Sequence, residues 1–493
     1  MAPARVLNGA WLGWGLALVA ALLWPLALPG ELLLRDMVVV DHPALSLGAF
    51  GLGDLAARNA PQDGVLALAG MVVPASWVAR AMLLAAAVAG ACGAAAWGAS
   101  GWQRVAAVTV ALYNPLVVER LLQGHWSLVI AAWLAPGIAA WGCRGARGKQ
   151  WVAMWAASLT PTGAFVGAAV GVSTSRSPKA TAAWSLACAL PWLIPALLVP
   201  AAARPLAAGA WAFAPRGEGP VGTLGALAGL GGIWNARAVP TSRETWFALA
   251  GVALLVVLAT GFRRAPRALR WLAAAGCAGA VVGWLAPGVV GWGLVHIPGA
   301  GLVRDSQKLL ILALPLLVAA AGRLPGRALA AAATAFALLQ VPDAPAAVAA
   351  LRPAPAPSIA ASDRTGDVLI AGGGTLTTTE RGQVVVDPRS KQRSSVESGE
   401  LTVDGRAVDP PSPRWLAAQA AWQRRDLGEL RRLGVGSVVD GGQVTDTGRA
   451  PTPRPAAWWL GLALTAGWLL LGASQLARPR RRASKAAPVS SQE

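Results

Sequence analysis

Long apolar blocks, separated by short polar breaks, dominate this chain. Crossing a bilayer core about 30 Å thick takes roughly 17–25 such residues in a helix. The blocks fall at 10–29, 76–99, 104–118, 126–142, 180–200, 246–262, 271–292, 307–322, 328–341 and 456–474. Only 13% of the residues are charged and the mean hydropathy is +0.52. A soluble domain needs about 25% charged residues to cover its surface. The expected fold is therefore an all-α polytopic membrane protein. The first block has no convincing small-residue cleavage site before Glu31, so it reads as a retained span rather than a signal peptide.

The net charge of +19 does not point to nucleic acid, because no basic stripe is interleaved with aromatics. Its distribution is informative about sidedness instead. The stretch 150–172 carries Pro161 and Gly163 at its centre. Read as two half-spans meeting at Thr160–Thr162, it brings all the Arg-rich loops to one side: Arg144/Arg147/Lys149, Arg176/Lys179, Arg263–Arg270, Arg323/Arg327 and Arg478–Arg482. Cytoplasmic loops carry such an excess. A break at membrane depth is tolerated only inside protein or beside a watery cavity. Counting this broken pair, about 11–12 spans result. Both termini are then cytoplasmic, and 30–75, 119–125, 202–245, 293–306 and 342–455 lie outside. Nearly all the acids and all three histidines fall in these outer segments.

The organisation that follows is a transmembrane domain over 1–341, with outer loops 30–75, 202–245 and 293–306. An extracytoplasmic domain over 342–455 comes next, then a final helix at 456–474 and a basic cytoplasmic tail at 475–493. After a PAPAPS linker the 342–455 segment shows β-type runs at Asp367–Ile370, Gln383–Asp387 and Glu400–Val403. An amphipathic helix over Pro413–Leu433 and a further run at Ser437–Asp440 follow, which reads as a small α/β module. Its Gly372–Gly374 run lacks the following helix that a phosphate-cradling loop needs, so a turn is expected. The four cysteines lie far apart with no metal-ligand spacing, and neither a disulfide framework nor a metal site is expected.

Ionisable residues are costly near a membrane, which makes their positions the best guide to function. Three clusters stand out on the outer side. The first, LLLRDMVVVDHP, holds Arg35, Asp36, Asp41 and His42. A carboxylate there can serve as general base toward a hydroxyl, and cations can hold an anionic leaving group. Arg58 and Asp63, farther along, read as surface charges. The second, YNPLVVERLLQGHW, holds Glu119, Arg120, Gln123, His125 and Trp126; the Glu119/Arg120 pair reads equally as a structural ion pair. The third, HIPGAGLVRDSQKLL, holds His296, Arg304, Asp305, Gln307 and Lys308. Arg304 and Lys308 share a helical face and suit a lipid phosphate, although snorkelling to headgroups explains them too. A fourth stretch, Pro220–Pro240, offers Trp234 and Asn235 for stacking on and hydrogen-bonding a sugar.

These strings together resemble the membrane part of the actinobacterial GT-C superfamily, and especially the N-terminal region of α-(1→3)-arabinofuranosyltransferases. The likeness rests on RDM at Arg35–Met37, YNPLVVERLLQGHW at Tyr113–Trp126, LTPTG at Leu159–Gly163, GTLGALAGLGGIWNARAVP at Gly222–Pro240 and GLVRDSQK at Gly301–Lys308. It covers about residues 10–340. It implies a GT-C-like fold and a sugar taken from a polyprenyl-phosphate donor, with an envelope glycan or lipid as acceptor. The resemblance makes Asp36 the base, seconded by Asp41, and assigns the donor phosphate to Arg304, Lys308, Arg35 and Arg120. His42, Glu119, His125, Trp234, Asn235, His296, Asp305 and Gln307 would contact substrate, and a divalent cation is an optional helper. A single Asp stands here instead of an adjacent acidic pair, and the large carbohydrate-binding C-terminal region is absent, which leaves the sugar open. The expected function is a glycosyltransferase of the cell membrane with its active face outside. A lipid-linked sugar flippase and a non-catalytic envelope scaffold are the alternatives.

Overall fold

The computed structural model describes residues 2–199, 205–359 and 366–477, with side chains from residue 9 onward. The basic tail beyond residue 477, including Arg478–Arg482, lies outside the described residues. Among those described, eight helices are long and apolar enough to cross a membrane: Gly9–Ala27, Ala75–Ala95, Gly101–Gln123, Trp126–Cys143, Pro178–Leu198, Arg267–Leu285, Arg327–Leu351 and Ala456–Leu476. Trp246–Phe262 and Ser306–Ala321 are shorter apolar helices. The chain is thus a helical, multi-pass membrane protein.

Two helices form the centre of the bundle. The windows of Gly101–Gln123 and Trp126–Cys143 are 94% and 89% buried, whereas those of the peripheral Pro178–Leu198, Arg267–Leu285 and Ala456–Leu476 are 28% buried. Small residues permit the close packing: a Cβ on Gly93 would overlap the backbone of Gly137, so helix Ala75–Ala95 touches the central Trp126–Cys143 main chain to main chain.

The 150–172 stretch is two helices, Arg147–Ala157 and Pro161–Thr174. At 1.5 Å per residue they are about 16 and 21 Å long, too short to span a bilayer separately. Proline at the first helical position and the Thr160 side chain, which accepts from the Gly163 amide at 3.4 Å, start the second helix. The groups freed by the break are satisfied inside protein, as membrane depth demands. The Leu159 carbonyl accepts from Gln62 N at 3.1 Å, and the Ser158 hydroxyl accepts from Trp468 Nε1 at 2.9 Å.

Arginine-rich turns gather at one end of the bundle. Arg144 and Arg323 both lie over the Trp97 ring, Arg176 donates to the Cys143 carbonyl, and Arg264 donates to the Arg323 carbonyl. His125 and Arg144 flank opposite ends of the 18-residue helix Trp126–Cys143. About 27 Å therefore separates the arginine end from the end that carries the ionisable clusters.

At that second end sits the small module. Strand Val435–Asp440 pairs parallel with Asp367–Ile370 and antiparallel with Gln443–Asp446. Leu369, Val396, Ala418, Ala421, Trp422, Leu430, Val435 and Val438 form its core. The helix expected over 413–433 is two helices, Pro413–Gln423 and Leu427–Arg432. Arg425 takes a left-handed φ of 58°, which ends the first, and Asp426 caps the second by accepting from Glu429 N at 2.9 Å. The PAPAPS segment is pinned rather than loose: Ala354 N donates to the Glu31 carbonyl and Ala356 N to the Glu31 carboxylate.

Candidate functional site

The site is built on the end of one helix. In Tyr113–Trp126, Asn114 closes the preceding helix and opens the next: its Oδ1 accepts from Val117 N at 3.0 Å, Pro115 takes the first helical position, and Gly124 ends the helix at φ 87°. The stretch expected as an outer loop over 119–125 is therefore mostly helix, and only Gly124 and His125 connect it to the next span. This places Glu119, Arg120 and Gln123 in fully buried positions, facing the loops that return to this end.

A hairpin meets that helix end. Strands Leu32–Leu34 and Met37–Val39 pair antiparallel, with Arg35 and Asp36 as the turn. Asp36 N donates to the Gln123 carbonyl at 3.2 Å. The approach is so close that a Cβ on Gly124 would overlap the Met37 amide nitrogen and the Leu34 carbonyl oxygen. Arg35 sits at φ 51°, a sparsely populated region for a side-chain-bearing residue. Its backbone is held by strand Val384–Val386: Arg35 N donates to the Val384 carbonyl at 3.1 Å, and Val386 N to the Arg35 carbonyl at 2.9 Å. Its guanidinium donates to the Leu122 and Arg237 carbonyls.

Asp36 projects from this turn with its side chain 45% exposed. Its Oδ2 accepts from Gln123 Nε2 at 2.8 Å and His125 Nε2 at 2.9 Å, while Oδ1 has no protein partner among the described residues. Desolvation pushes the carboxyl toward its neutral form. The hydrogen bond from His125, the Gln123 amide and the Arg58 charge outweigh it, so the pKa lies below the ordinary 3.8. Gln123 is locked by Asn235, whose Nδ2 donates to its Oε1 at 2.7 Å. Arg120 Nη1 donates to His125 Nδ1 at 3.1 Å. A guanidinium can only donate, so Nδ1 accepts and the ring proton lies on Nε2, directed at Asp36.

Arg120 anchors this chain. Fully buried, it grips both carboxylate oxygens of Asp305 and the Gln307 side-chain oxygen. Burial raises the Asp305 pKa, but the charge and hydrogen bonds of Arg120 overcome that and bring it to about 2. Gln307 Nε2 reaches the Leu230 and Gly231 carbonyls at 3.2 Å, and Glu119 Oε2 accepts from Ile233 N at 3.1 Å. Residues 218–243 are fastened further by an ion pair between Glu218 and Arg243, both fully buried, with Arg243 Nε donating at 2.7 Å.

A group of cations gathers at this end: Arg35 and Arg58 act on Asp36, and Arg58 in turn on Arg304 and Lys308. Arg304 stacks over the Phe213 ring at 4.2 Å, and its Nη1 donates to Asp409 at 2.7 and 2.9 Å. Burial, and then repulsion from Arg58, lower its pKa. Arg58 also reaches Asp409, at 3.4 Å. Lys308 is half-buried and has no hydrogen bond or ion pair among the described residues, although Asp305, Arg120, Arg304 and Arg58 all act on it electrostatically. Arg35, Arg58, Arg120, Arg237, Arg304 and Lys308 outnumber Asp36, Asp305 and Asp409 two to one.

Residues from all the sequence clusters thus share one network, but not every candidate joins it. Asp41 accepts from Ser76 Oγ at 2.5 Å and from no residue of this group, and His42 Nδ1 contacts the Gly70 carbonyl at 2.8 Å. Both secure the entry to helix Ala75–Ala95. His296 is exposed, stacked on Trp292 and bonded to that residue's carbonyl. Trp234 packs edge-on against Phe213 at 4.6 Å, under Arg304. Arg35 and Arg120 spend their guanidinium groups on carbonyls, His125, Gln307 and Asp305, which leaves Arg304 and Lys308, both partly buried, as the expected phosphate ligands not closed inside those contacts. Sequence reasoning read Arg58 as a surface charge and passed over Arg237 and Asp409. Only charge marked them, in segments full of other charges.

Among the described residues, no group of three or more His, Cys, Asp or Glu could hold a metal ion, and the carboxylates of Asp305 and Asp409 are consumed by arginines. All four cysteines are free. Compared with known proteins, the chain matches no protein family, no curated protein and no solved structure.

Proposed function

We propose that the chain is a membrane glycosyltransferase that moves a sugar from a polyprenyl-phosphate donor to a hydroxyl of a cell-envelope glycan or lipid. The active end is the one opposite the arginine-rich turns, on the extracytoplasmic side of the cell membrane. The observation that carries this reading is the free Asp36 Oδ1, within reach of the Arg58 charge, at the end of the bundle that also holds Arg304 and a lysine, Lys308, with no hydrogen bond or ion pair among the described residues. Oδ2 is bound by Gln123 and His125, which leaves Oδ1 to take the acceptor's proton. As that proton leaves, the acceptor oxygen bonds to the anomeric carbon and the carbon–oxygen bond to phosphate breaks. The charge that develops on the phosphate is met by Lys308, Arg304 and Arg58. The proton then passes from half-exposed Asp36 to water. Such a transfer needs positioning and electrostatic stabilisation more than covalent participation by the protein.

The strings that resemble the GT-C superfamily support the reading, because RDM, YNPLVVERLLQGHW, GLGGIWNARAVP and GLVRDSQK converge on this network. Residues 366–447, docked beside the hairpin, form one wall of the region that an acceptor must enter.

Purified full-length protein supplied with radiolabelled polyprenyl-phosphate pentose or hexose and an envelope-lipid extract tests it. The native protein should transfer label. Asp36→Asn should reduce transfer by about 10²–10⁴-fold, the usual contribution of a general base. Normal transfer by the Asn variant, or none by the native protein with either donor, would sink the proposal.

A further inference from the structure

Asp409 belongs to the small module, yet every side-chain hydrogen bond it makes leaves that module. It ends the hairpin Leu401–Val403/Arg406–Asp409. Residues 404–407 of that hairpin are exposed, and Val408 and Asp409 are buried. Val408 accepts from Leu206 N at 3.1 Å. The Asp409 carboxylate, 7% exposed, takes Arg304 Nη1 on both oxygens and Arg58 on Oδ2. Its negative charge therefore occupies two arginines of the cation group, the exposed Arg58 and the mostly buried Arg304.

A pin for docking the module would explain such contacts, but docking is carried elsewhere. Lys391 pairs with Asp63 at 2.8 Å, Arg414 with Asp54 at 3.2 Å, and strand Val384–Val386 with Arg35. Among the described residues only Nη1 of Arg304 has a hydrogen-bond partner, so an arriving anion can engage Nε or Nη2 before Asp409 lets go. A carboxylate and a phosphate oxygen want the same guanidinium geometry. Two anions at one clamp repel each other.

We infer that Asp409 is a built-in stand-in for the donor's phosphate: it holds Arg304 and Arg58 while the site is empty, and a lipid phosphate displaces it together with the hairpin. The inference rests on reading these cations as the phosphate seat. It adds a self-limiting device to that seat. The module competes with donor for the clamp and reclaims the arginines as the product phosphate departs.

The test uses full-length protein in detergent and decaprenyl phosphate as probe, with binding followed by tryptophan fluorescence. Asp409→Asn removes the charge and keeps the shape, and it should tighten binding about tenfold, which is 1.4 kcal/mol. Asp63→Asn breaks another seam contact and should leave the dissociation constant unchanged. In native protein, with no substitution needed, probe should speed hydrogen exchange across residues 401–409. Equal or weaker binding by Asp409→Asn, equal tightening by Asp63→Asn, or slowed or unchanged exchange would overturn the inference. Tightening without any sugar transfer by native protein would keep the stand-in and remove the transferase reading. Transfer without tightening would do the reverse.

Discussion

Replacing Arg120 by Met keeps a long, helix-compatible stem and deletes the guanidinium. The group removed is fully buried and serves Asp305, Gln307 and His125 at once. Asp305 is then left 11% exposed with no donor of its own. Its carboxyl is held at about 2 instead of 3.8, which corresponds to about 2 kcal/mol of preference for the charged form. Orphaning one partner of a buried pair typically costs about 3–5 kcal/mol. We therefore expect a loss of about 2–5 kcal/mol for Arg120→Met, read by SDS titration of the protein in mixed micelles. Asp305→Asn should cost a comparable amount, because it strands the fully buried Arg120 guanidinium without its counter-charge. The double variant should lose less than the two singles together, with a coupling near 2 kcal/mol. The pH dependence has a definite sign. A carboxyl whose folded pKa is depressed stabilises above its unfolded value and loses that contribution as the pH falls through the folded one. The gap between native and Arg120→Met protein should therefore narrow between about pH 4 and pH 2. Losses that add within about 0.5 kcal/mol, or a gap independent of pH, would refute the claim that this pair holds the site together.

His125 and Gln123 hold the Asp36 carboxyl below its ordinary range, and transfer needs that carboxylate charged. Removing His125 should move the acid limb of the kcat/KM profile to higher pH; an unmoved limb in His125→Ala would show that the imidazole does not tune Asp36. Gly124→Ala places a side chain at φ 87°, which costs about 1–2 kcal/mol, and drives its Cβ into the Leu34–Met37 turn. Helix content by circular dichroism should persist while transfer falls at least tenfold, and full activity would show that the turn tolerates displacement.

Much of the membrane architecture was readable because each span writes its own signal. A run of apolar residues has to hydrogen-bond internally, and Asn114–Pro115, Thr160–Pro161 and Gly124 are local instructions about where helices begin and end. Even so, the span ending near 118 was drawn short. Glu119, Arg120 and Gln123 look like loop residues by polarity, and only their partners from 218–243 and 305–307 make burial affordable. Pairings across the fold leave no such signature. Arg58 and Asp409 are 351 residues apart, and nothing periodic connects them. Asp41 resembled Asp36 in composition and distance from the first span. One faces Ser76 at a helix entry and the other His125, a difference set by hairpin register that charge counting does not register.

The network also separates charges that look equivalent in sequence. A cation can stabilise a leaving phosphate only if it is not already neutralised at the same atoms. Arg120 and Arg243 are closed inside buried pairs, and Arg35 is spent on two carbonyls that fix the turn. Arg304 and Arg58 share one carboxylate, and Lys308 has none. The same division runs through the acids. Asp305 and Glu218 face arginines, whereas Asp36 has one oxygen tied and one open. Holding a charge half-buried without a partner is costly, so a folded chain retains it where something outside the chain completes it. Among the described residues of this network, Lys308 and Asp36 Oδ1 are part-exposed and open in this way, one cationic and one anionic, at the same end of the bundle, while Glu119 Oε1 is open but fully buried. That complementarity fits the proposed pairing of a phosphate-linked donor, which brings an anion, with an acceptor that brings a hydroxyl proton.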